Sequence, residues 1–109
     1  MAYRQDQYEA LAAALGATPG LTEKKMFGGI CFLLNGNMLA GVMRDGAMAR
    51  VGKDRESEAV MLDGVEPLAF TGRRMGGLVR LAPEIVEDEA RLGEVLNMAF
   101  AFVGPMPAK

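Results

Sequence analysis

The residues that most often carry enzymatic chemistry are scarce in this sequence. No histidine occurs among its 109 residues, which removes the commonest general base and the commonest metal ligand. Ser–His and Cys–His nucleophile pairs are therefore impossible. The single cysteine, Cys31, lies in an apolar run that suits a small buried side chain, and it cannot form an intramolecular disulfide. We expect a domain that is not an enzyme, with no catalytic residues, no cofactor and no metal ion.

Two further patterns could suggest a site, and each has a structural explanation. The acidic residues Glu84, Glu87, Asp88 and Glu89 precede or open a predicted helix, where negative charge favours the positive end of the helix dipole. The pairs Gly28-Gly29 and Gly76-Gly77 are not followed by the Lys-Ser/Thr of a phosphate-binding loop. We expect these glycines to form a bulge, a bend or a strand end.

Two basic pairs precede the glycine pairs and are the best candidates for a contact surface. They are Lys24-Lys25 and Arg73-Arg74. If the last strand lies beside the first, these four side chains could form one positive patch. One interpretation is a solvated sheet edge, where basic residues discourage edge pairing. The other is a contact for an acidic protein or a nucleic acid, although the net charge of -2 argues against autonomous binding to duplex DNA.

The order of predicted elements indicates one α+β domain over residues 1–109. Apolar spacing predicts a first helix ending at Gly16 and a last helix capped by Asp88 and stopped by Gly104-Pro105. Asn35-Gly36 and Asp45-Gly46 predict tight turns in an antiparallel meander. We expect an antiparallel sheet of about five strands packed with the N-terminal helix, the C-terminal helix and one short helix. The predicted strands are 22–27, 30–34, 38–44, 47–51 and 75–82.

The side-chain patterns also predict which faces are buried. Met48 and Arg50 alternate with small apolar residues, which favours a sheet with one solvated face. Asp54 is the expected N-cap of the short helix, and Met61 and Phe102 are expected in the core. The stretch 65–70 is only weakly defined as a strand.

The methionine content and the N-terminus bear on partners and location. Nine methionines either fill the core or form an adaptable apolar surface for a partner. Homodimerisation is one way to cover such a surface. The polar N-terminus lacks the pattern of a signal peptide, and no run is long enough to span a bilayer. We expect a cytoplasmic protein without membrane association.

An ordered set of short segments resembles the TfoX N-terminal domain of the TfoX/Sxy family. The segments are Lys25 to Phe32, Asn35 to Met38, Asp45-Gly46, Arg50 to Gly52, Phe70 to Arg73, Met75 to Gly77 and the helix start at Pro83. The resemblance implies an α+β fold with an antiparallel sheet and flanking helices. It also implies a link to the regulation of natural competence genes. Longer relatives carry a second, helical C-terminal domain, so the resemblance implies a stand-alone N-terminal domain here.

Three functions follow as hypotheses. The first is a non-enzymatic regulatory or protein-interaction module acting through its sheet or its last helix, with a protein partner such as the transcription machinery or a second copy of the chain. The second is direct nucleic-acid binding through Lys24, Lys25, Arg73 and Arg74. The third is a small-molecule-binding domain or an unrecognised enzyme, which a deep pocket with convergent polar groups would support.

Overall fold

A computed structural model describes residues 3–26, 28–44, 46–70 and 73–109. Within these ranges six strands form one antiparallel sheet in the order β1-β2-β3-β4-β6-β5. The elements in chain order are α1 (Gln5–Leu15), β1 (Leu21–Met26), β2 (Gly29–Leu34), β3 (Asn37–Met43), β4 (Gly46–Arg50), α2 (Lys53–Ala59), β5 (Val65–Phe70), β6 (Arg73–Leu81), α3 (Pro83–Val86) and α4 (Glu89–Val103).

This architecture confirms the predicted α+β class, with six strands in place of about five. The additional strand is β5, which the sequence defined only weakly because it contains Pro67. Proline cannot donate a ladder hydrogen bond and is tolerated in an edge strand. Since β5 lies at the edge of the sheet beyond β6, Pro67 is compatible with a strand there.

The turns and helix ends follow from local sequence at several points. Gly16 ends α1 with a φ of 60°, and the turn between β2 and β3 has φ values of 52° at Asn35 and 84° at Gly36, as a tight hairpin requires. The Asp88 carboxylate accepts hydrogen bonds from the backbone N–H groups of Ala90 and Arg91 at the start of α4. These elements confirm the predictions made for them.

The short helix starts two residues earlier than predicted. Gly52 occupies the N-cap position of α2, and Asp54 lies in the first turn, where its charge suits the helix dipole without capping it. The predicted N-cap was therefore wrong. The helix ends at Ala59, so Met61 lies beyond the helical period and is 84% exposed, contrary to its predicted burial.

The main hydrophobic core lies between the sheet and the helices α1, α3 and α4. Phe32, Val42 and Val79 from the sheet pack there with Leu11 of α1 and Val95 of α4, all almost fully buried. Because successive side chains of a strand point to opposite faces, every second side chain of β2, β4 and β6 packs in this core. Over the described ranges, none of the helices combines the length and the hydropathy that a bilayer crossing needs.

The second face of the sheet is solvated only in part, which corrects the prediction for Met48. Lys24, Glu66 and Arg80 are exposed on this face, whereas an apolar cluster on the same face is buried. A separate cluster forms there from Cys31, Met43, Met48, Leu68 and Leu78. Met48 is only 2% exposed. It lies opposite Gly41 in the register of β3 and β4, and its terminal methyl group occupies the space that a side chain at Gly41 would need. The missing side chain of Gly41 therefore lets Met48 fold down onto the sheet.

Candidate functional site

The predicted basic residues Lys24 and Lys25 are both exposed on β1, an edge strand of the sheet. Lys24 is paired with Cys31 and Lys25 with Ile30. Those partners belong to the clusters on opposite faces of the sheet, and successive side chains of a strand point to opposite faces. The two lysines therefore do not share one face.

Arg73 and Arg74 lie at the start of β6, where their backbones pair with β5, and their side chains lie outside the described residues. Strand β6 lies beside β4, four strand positions from β1. At a strand spacing of about 4.8 Å this separation is roughly 19 Å along the sheet. The condition for a single patch, a last strand next to the first, is thus not met. A partner contact through the four basic residues stays a prediction.

A different group of residues lines a cavity of about 290 Å³ where β4, α2, β6 and the end of α4 meet. We call it the Arg50–Phe102 pocket. Its lining residues are Arg50, Gly52, Lys53, Asp54, Gly76, Gly77 and Phe102. Two of the segments that carry the family resemblance, Arg50 to Gly52 and Met75 to Gly77, come together here.

The glycine pair of β6 forms one wall of this pocket as an irregularity in the sheet. Pro67 pairs with Val79 and Ala69 with Arg74, so one residue of β5 lies opposite residues 75–78 of β6. Of the bulge, bend or strand end predicted for these glycines, Gly76-Gly77 forms the bulge. The bulge turns the backbone of β6 away from β5 and toward the start of α2.

Three hydrogen bonds fix the bulge against the start of α2. The carbonyl oxygen of Gly77 accepts from the backbone N–H groups of Val51 and Gly52 at 2.9 and 3.1 Å. The N–H of Gly77 donates to Oε1 of Glu56 at 2.8 Å, and Glu56 is only 8% exposed. Because the Glu56 side chain is buried and its Oε1 already accepts this hydrogen bond, Glu56 serves as a positioning residue for this wall.

Gly52 brings the wall close to the end of α4. Its φ of 87° and ψ of 152° lie in a region that is essentially restricted to glycine. A Cβ atom at this position would come within 2.5 Å of Cδ1 of Phe102. The ring of Phe102 therefore packs directly on the Gly52 backbone, and its outer side remains 38% exposed, in contrast to the predicted burial.

The pocket carries more positive than negative charge. The Arg50 guanidinium lies over the Phe102 ring, 5.5 Å from its centroid, and donates to the carbonyl oxygen of Met38 at 3.4 Å. The Lys53 side chain is exposed and lies across Gly76. Neither cation forms an ion pair within the described part of the chain. Asp54 supplies the one carboxylate of the lining.

These groups support binding of an acidic, partly apolar segment. An aromatic ring with an exposed face offers apolar contact, and two cations that have no carboxylate partner among the described residues offer charge-assisted hydrogen bonds. In the portion of the chain that is described, no three of the His, Cys, Asp and Glu side chains come together in a way that could hold a metal ion. Burial raises the pKa of the Cys31 thiol, so this group is disfavoured as a nucleophile.

Sequence reasoning assigned Phe102 to the core and did not single out Lys53. The apolar period of α4 includes position 102, but the structure places this ring against the Gly52 backbone, with its outer side exposed. A local signal was nevertheless present: Arg50, Gly52 and Lys53 follow one another where β4 ends. The contact with Gly76-Gly77 joins segments more than twenty residues apart, and no local pattern reveals it.

Comparison with protein families shows that residues 11–103 match the TfoX N-terminal domain. Because the match covers most of the chain, the protein belongs to this family, which is linked to competence regulation and generally regarded as non-catalytic. No curated protein and no solved structure matched the chain.

Proposed function

We propose that this TfoX N-terminal domain is a non-enzymatic regulatory module that binds an acidic segment of a protein partner through the Arg50–Phe102 pocket. The observation that carries the proposal is the juxtaposition of a partly exposed phenylalanine with Arg50 and Lys53, neither of which has an ion-pair partner in the described chain. Family membership supplies the regulatory context. A cytoplasmic location, where promoters and the transcription machinery are found, fits this role.

Charge and shape favour a protein segment over other occupants of the pocket. The pocket of about 290 Å³ includes the Phe102 ring, whose outer side is 38% exposed and offers apolar contact at the surface. An extended acidic segment needs only to place one or two side chains there. Interface hot spots are enriched in aromatic residues and arginine, and Phe102 and Arg50 are such a pair. A carboxylate from the partner would form ion pairs with both Arg50 and Lys53.

The proposal is tested with a photo-activatable cross-linking residue at position 53, introduced into the chain in its native cells. We expect a cross-linked partner whose contact segment, mapped by mass spectrometry, is acidic. The same residue at position 57, on α2 but outside the pocket, serves as the control because Ser57 is exposed.

The affinity of the purified partner for variants of the chain then tests whether it binds at the Arg50–Phe102 pocket. Phe102→Ala should weaken binding about tenfold or more, as expected for the loss of an aromatic anchor. Lys53→Glu should weaken it further, and reversal of a carboxylate on the partner to lysine should restore it. Equal cross-linking from positions 53 and 57, or a partner segment without acidic residues, would contradict the proposal.

A further inference from the structure

A second cavity, separate from the Arg50–Phe102 pocket, lies at the opposite end of β4. Its volume is about 210 Å³, and it is bounded by the start of α1, the ends of β3 and β6, and the start of α3. We call it the arginine cavity. Its lining residues are Arg4, Gln7, Arg44, Gly46, Arg80 and Pro83. It shares no lining residue with the first pocket.

The side chain of Gln7 is the least expected feature of this cavity. Gln7 is only 3% exposed, and its Oε1 has no hydrogen-bond partner within the described structure. A buried acceptor that has lost water without gaining a donor is unfavourable, and such groups are rare in folded proteins. Because Gln7 lines the cavity, a ligand with an O–H or N–H group there would satisfy it.

Three guanidinium groups line the same cavity, and two of them also form ion pairs with carboxylates outside the lining. Arg4 pairs with Asp6 at 2.6 Å and Arg80 with Glu66 at 3.6 Å. Arg44 is exposed and has no ion-pair partner among the described residues. No carboxylate belongs to the lining. Arginine presents several N–H donors in a planar fork that suits the oxygens of phosphates and carboxylates.

Helix α1 adds to the positive potential at this cavity. Arg4 occupies its N-cap position and provides no side-chain cap for the first N–H groups. The start of a helix of 11 residues carries a partial positive charge and favours anions. The unpartnered Gln7 acceptor and the three arginines thus occur together at one helix start.

A ligand that binds the arginines and also donates a hydrogen bond to Gln7 must offer anionic oxygens and a hydroxyl hydrogen. We propose that the arginine cavity binds the phosphate group of a small phosphorylated metabolite, in the protonation state that retains one P–OH. The P–OH donates to Oε1 of Gln7, and the other oxygens accept from Arg44 and Arg80. The cavity is smaller than the roughly 300 Å³ of sites for drug-sized ligands. It therefore fits a phosphate group with a short organic portion.

The choice between phosphate and sulfate tests this assignment, because sulfate near neutral pH has no hydrogen to donate. Titration of the isotopically labelled chain with sodium phosphate and with sodium sulfate, at matched ionic strength, gives both affinities by NMR. We expect saturable shifts at Gln7, Gly46 and Arg80 and binding of phosphate about tenfold tighter than of sulfate, as a charge-assisted hydrogen bond would give. Equal affinities would overturn the proposal.

Variants then link the binding to the cavity. Arg44→Ala should weaken phosphate binding about tenfold or more without a change in Tm, because Arg44 is exposed and has no ion-pair partner among the described residues. Arg55→Ala is the control, since Arg55 lies on α2 outside the cavity. Gln7→Leu should abolish the preference for phosphate over sulfate. Equal weakening by Arg44→Ala and Arg55→Ala would refute the site.

The nature of the phosphorylated ligand is tested with two further probes. Free phosphoserine represents a small phosphorylated metabolite, and a 5′-phosphorylated oligonucleotide represents the end of a nucleic acid. At about pH 5, below the second pKa of about 6 of a phosphate monoester, phosphoserine retains one P–OH. Under these conditions we expect phosphoserine to bind at least as tightly as inorganic phosphate, with the same dependence on Arg44. Much tighter binding of the oligonucleotide, lost when its 5′-phosphate is removed, would overturn the assignment to a small metabolite.

Discussion

Replacement of Gly52 by alanine should destabilise the junction of α2, β6 and α4 through two separable effects. The first is conformational, because φ 87° and ψ 152° are accessible to glycine at little cost but strain an L-residue. The second is steric, because the new Cβ would lie 2.5 Å from Cδ1 of Phe102. Only the steric effect depends on the Phe102 ring, so a second substitution at position 102 separates the two effects.

The expected magnitude follows from the size of each effect. A residue held in a sparsely populated backbone region costs about 1–3 kcal/mol. Insertion of a methyl group into an occupied space costs about 1–3 kcal/mol more. Since the Phe102 ring is partly exposed and can shift outward, we expect a total of about 2–4 kcal/mol, nearer the lower part of the summed range.

A double-mutant cycle measured by urea unfolding separates the contributions. Gly52→Ala, Phe102→Ala and the double variant are compared with the wild type. Phe102→Ala removes the ring that the new methyl group meets, so the double variant should be about 1–2 kcal/mol more stable than the sum of the single variants predicts. The conformational cost of about 1–3 kcal/mol should remain when the ring is absent.

Gly93→Ala is the matched control, because Gly93 lies within α4 and a Cβ atom there meets nothing within 4 Å. This change should stabilise the protein by about 0.5–1 kcal/mol, since alanine favours a helix over glycine. Additive free energies in the Gly52–Phe102 cycle would refute the packing described for the Arg50–Phe102 pocket. Unchanged stability in Gly52→Ala would refute the backbone conformation as well.

Three further predictions concern other parts of the chain. Backbone and side-chain hydrogen bonds from Arg91 lower the pKa of Asp88, so its stabilising effect is present above the unfolded pKa and lost as pH falls through the folded pKa. Asp88→Ala should therefore lower Tm near neutral pH but not in strong acid, and an equal loss in acid would contradict this. The Cys31 thiol, buried and with a raised pKa, should react with a thiol-specific disulfide dye far more slowly in the native state than in urea; equal rates would show that it is accessible. If duplex DNA is bound at low salt, Lys24→Ala and Lys25→Ala should weaken the binding unequally, because the two side chains leave opposite faces of β1. Equal losses in a fluorescence anisotropy titration would contradict that placement.

Local chemistry explains the parts of the fold that the sequence predicts well. The apolar period of α1, the positive φ values at Asn35-Gly36 and the Asp88 cap of α4 each depend on residues close together in the chain. The Gly76-Gly77 bulge also follows from residue type, because glycine is common where a strand bends. These features need no knowledge of distant partners.

The features that the sequence did not predict depend on long-range contacts. The position of β6 beside β4, and not beside β1, separates Lys24 and Lys25 from Arg73 and Arg74. No local pattern specifies that pairing.

Burial also depended on distant neighbours at particular residues. Met48 is buried because Gly41 on the neighbouring strand leaves room for it, although its alternation with small residues favoured a solvated face. Gln7 is buried because α1 packs against β3, β4, α3 and α4, whereas glutamine is usually exposed. Each outcome required the tertiary arrangement to be known.

The claim that the domain regulates through the Arg50–Phe102 pocket is tested most directly by transcript profiles of its native cells. Cells lacking the chain are compared with cells that express wild type, Lys53→Glu or the charge-matched control Arg55→Glu, at equal protein levels. We predict that loss of the chain alters a defined set of transcripts, that Lys53→Glu reproduces this change, and that Arg55→Glu behaves as wild type. A wild-type profile in the Lys53→Glu cells, or no transcript change on loss of the chain, would contradict the account.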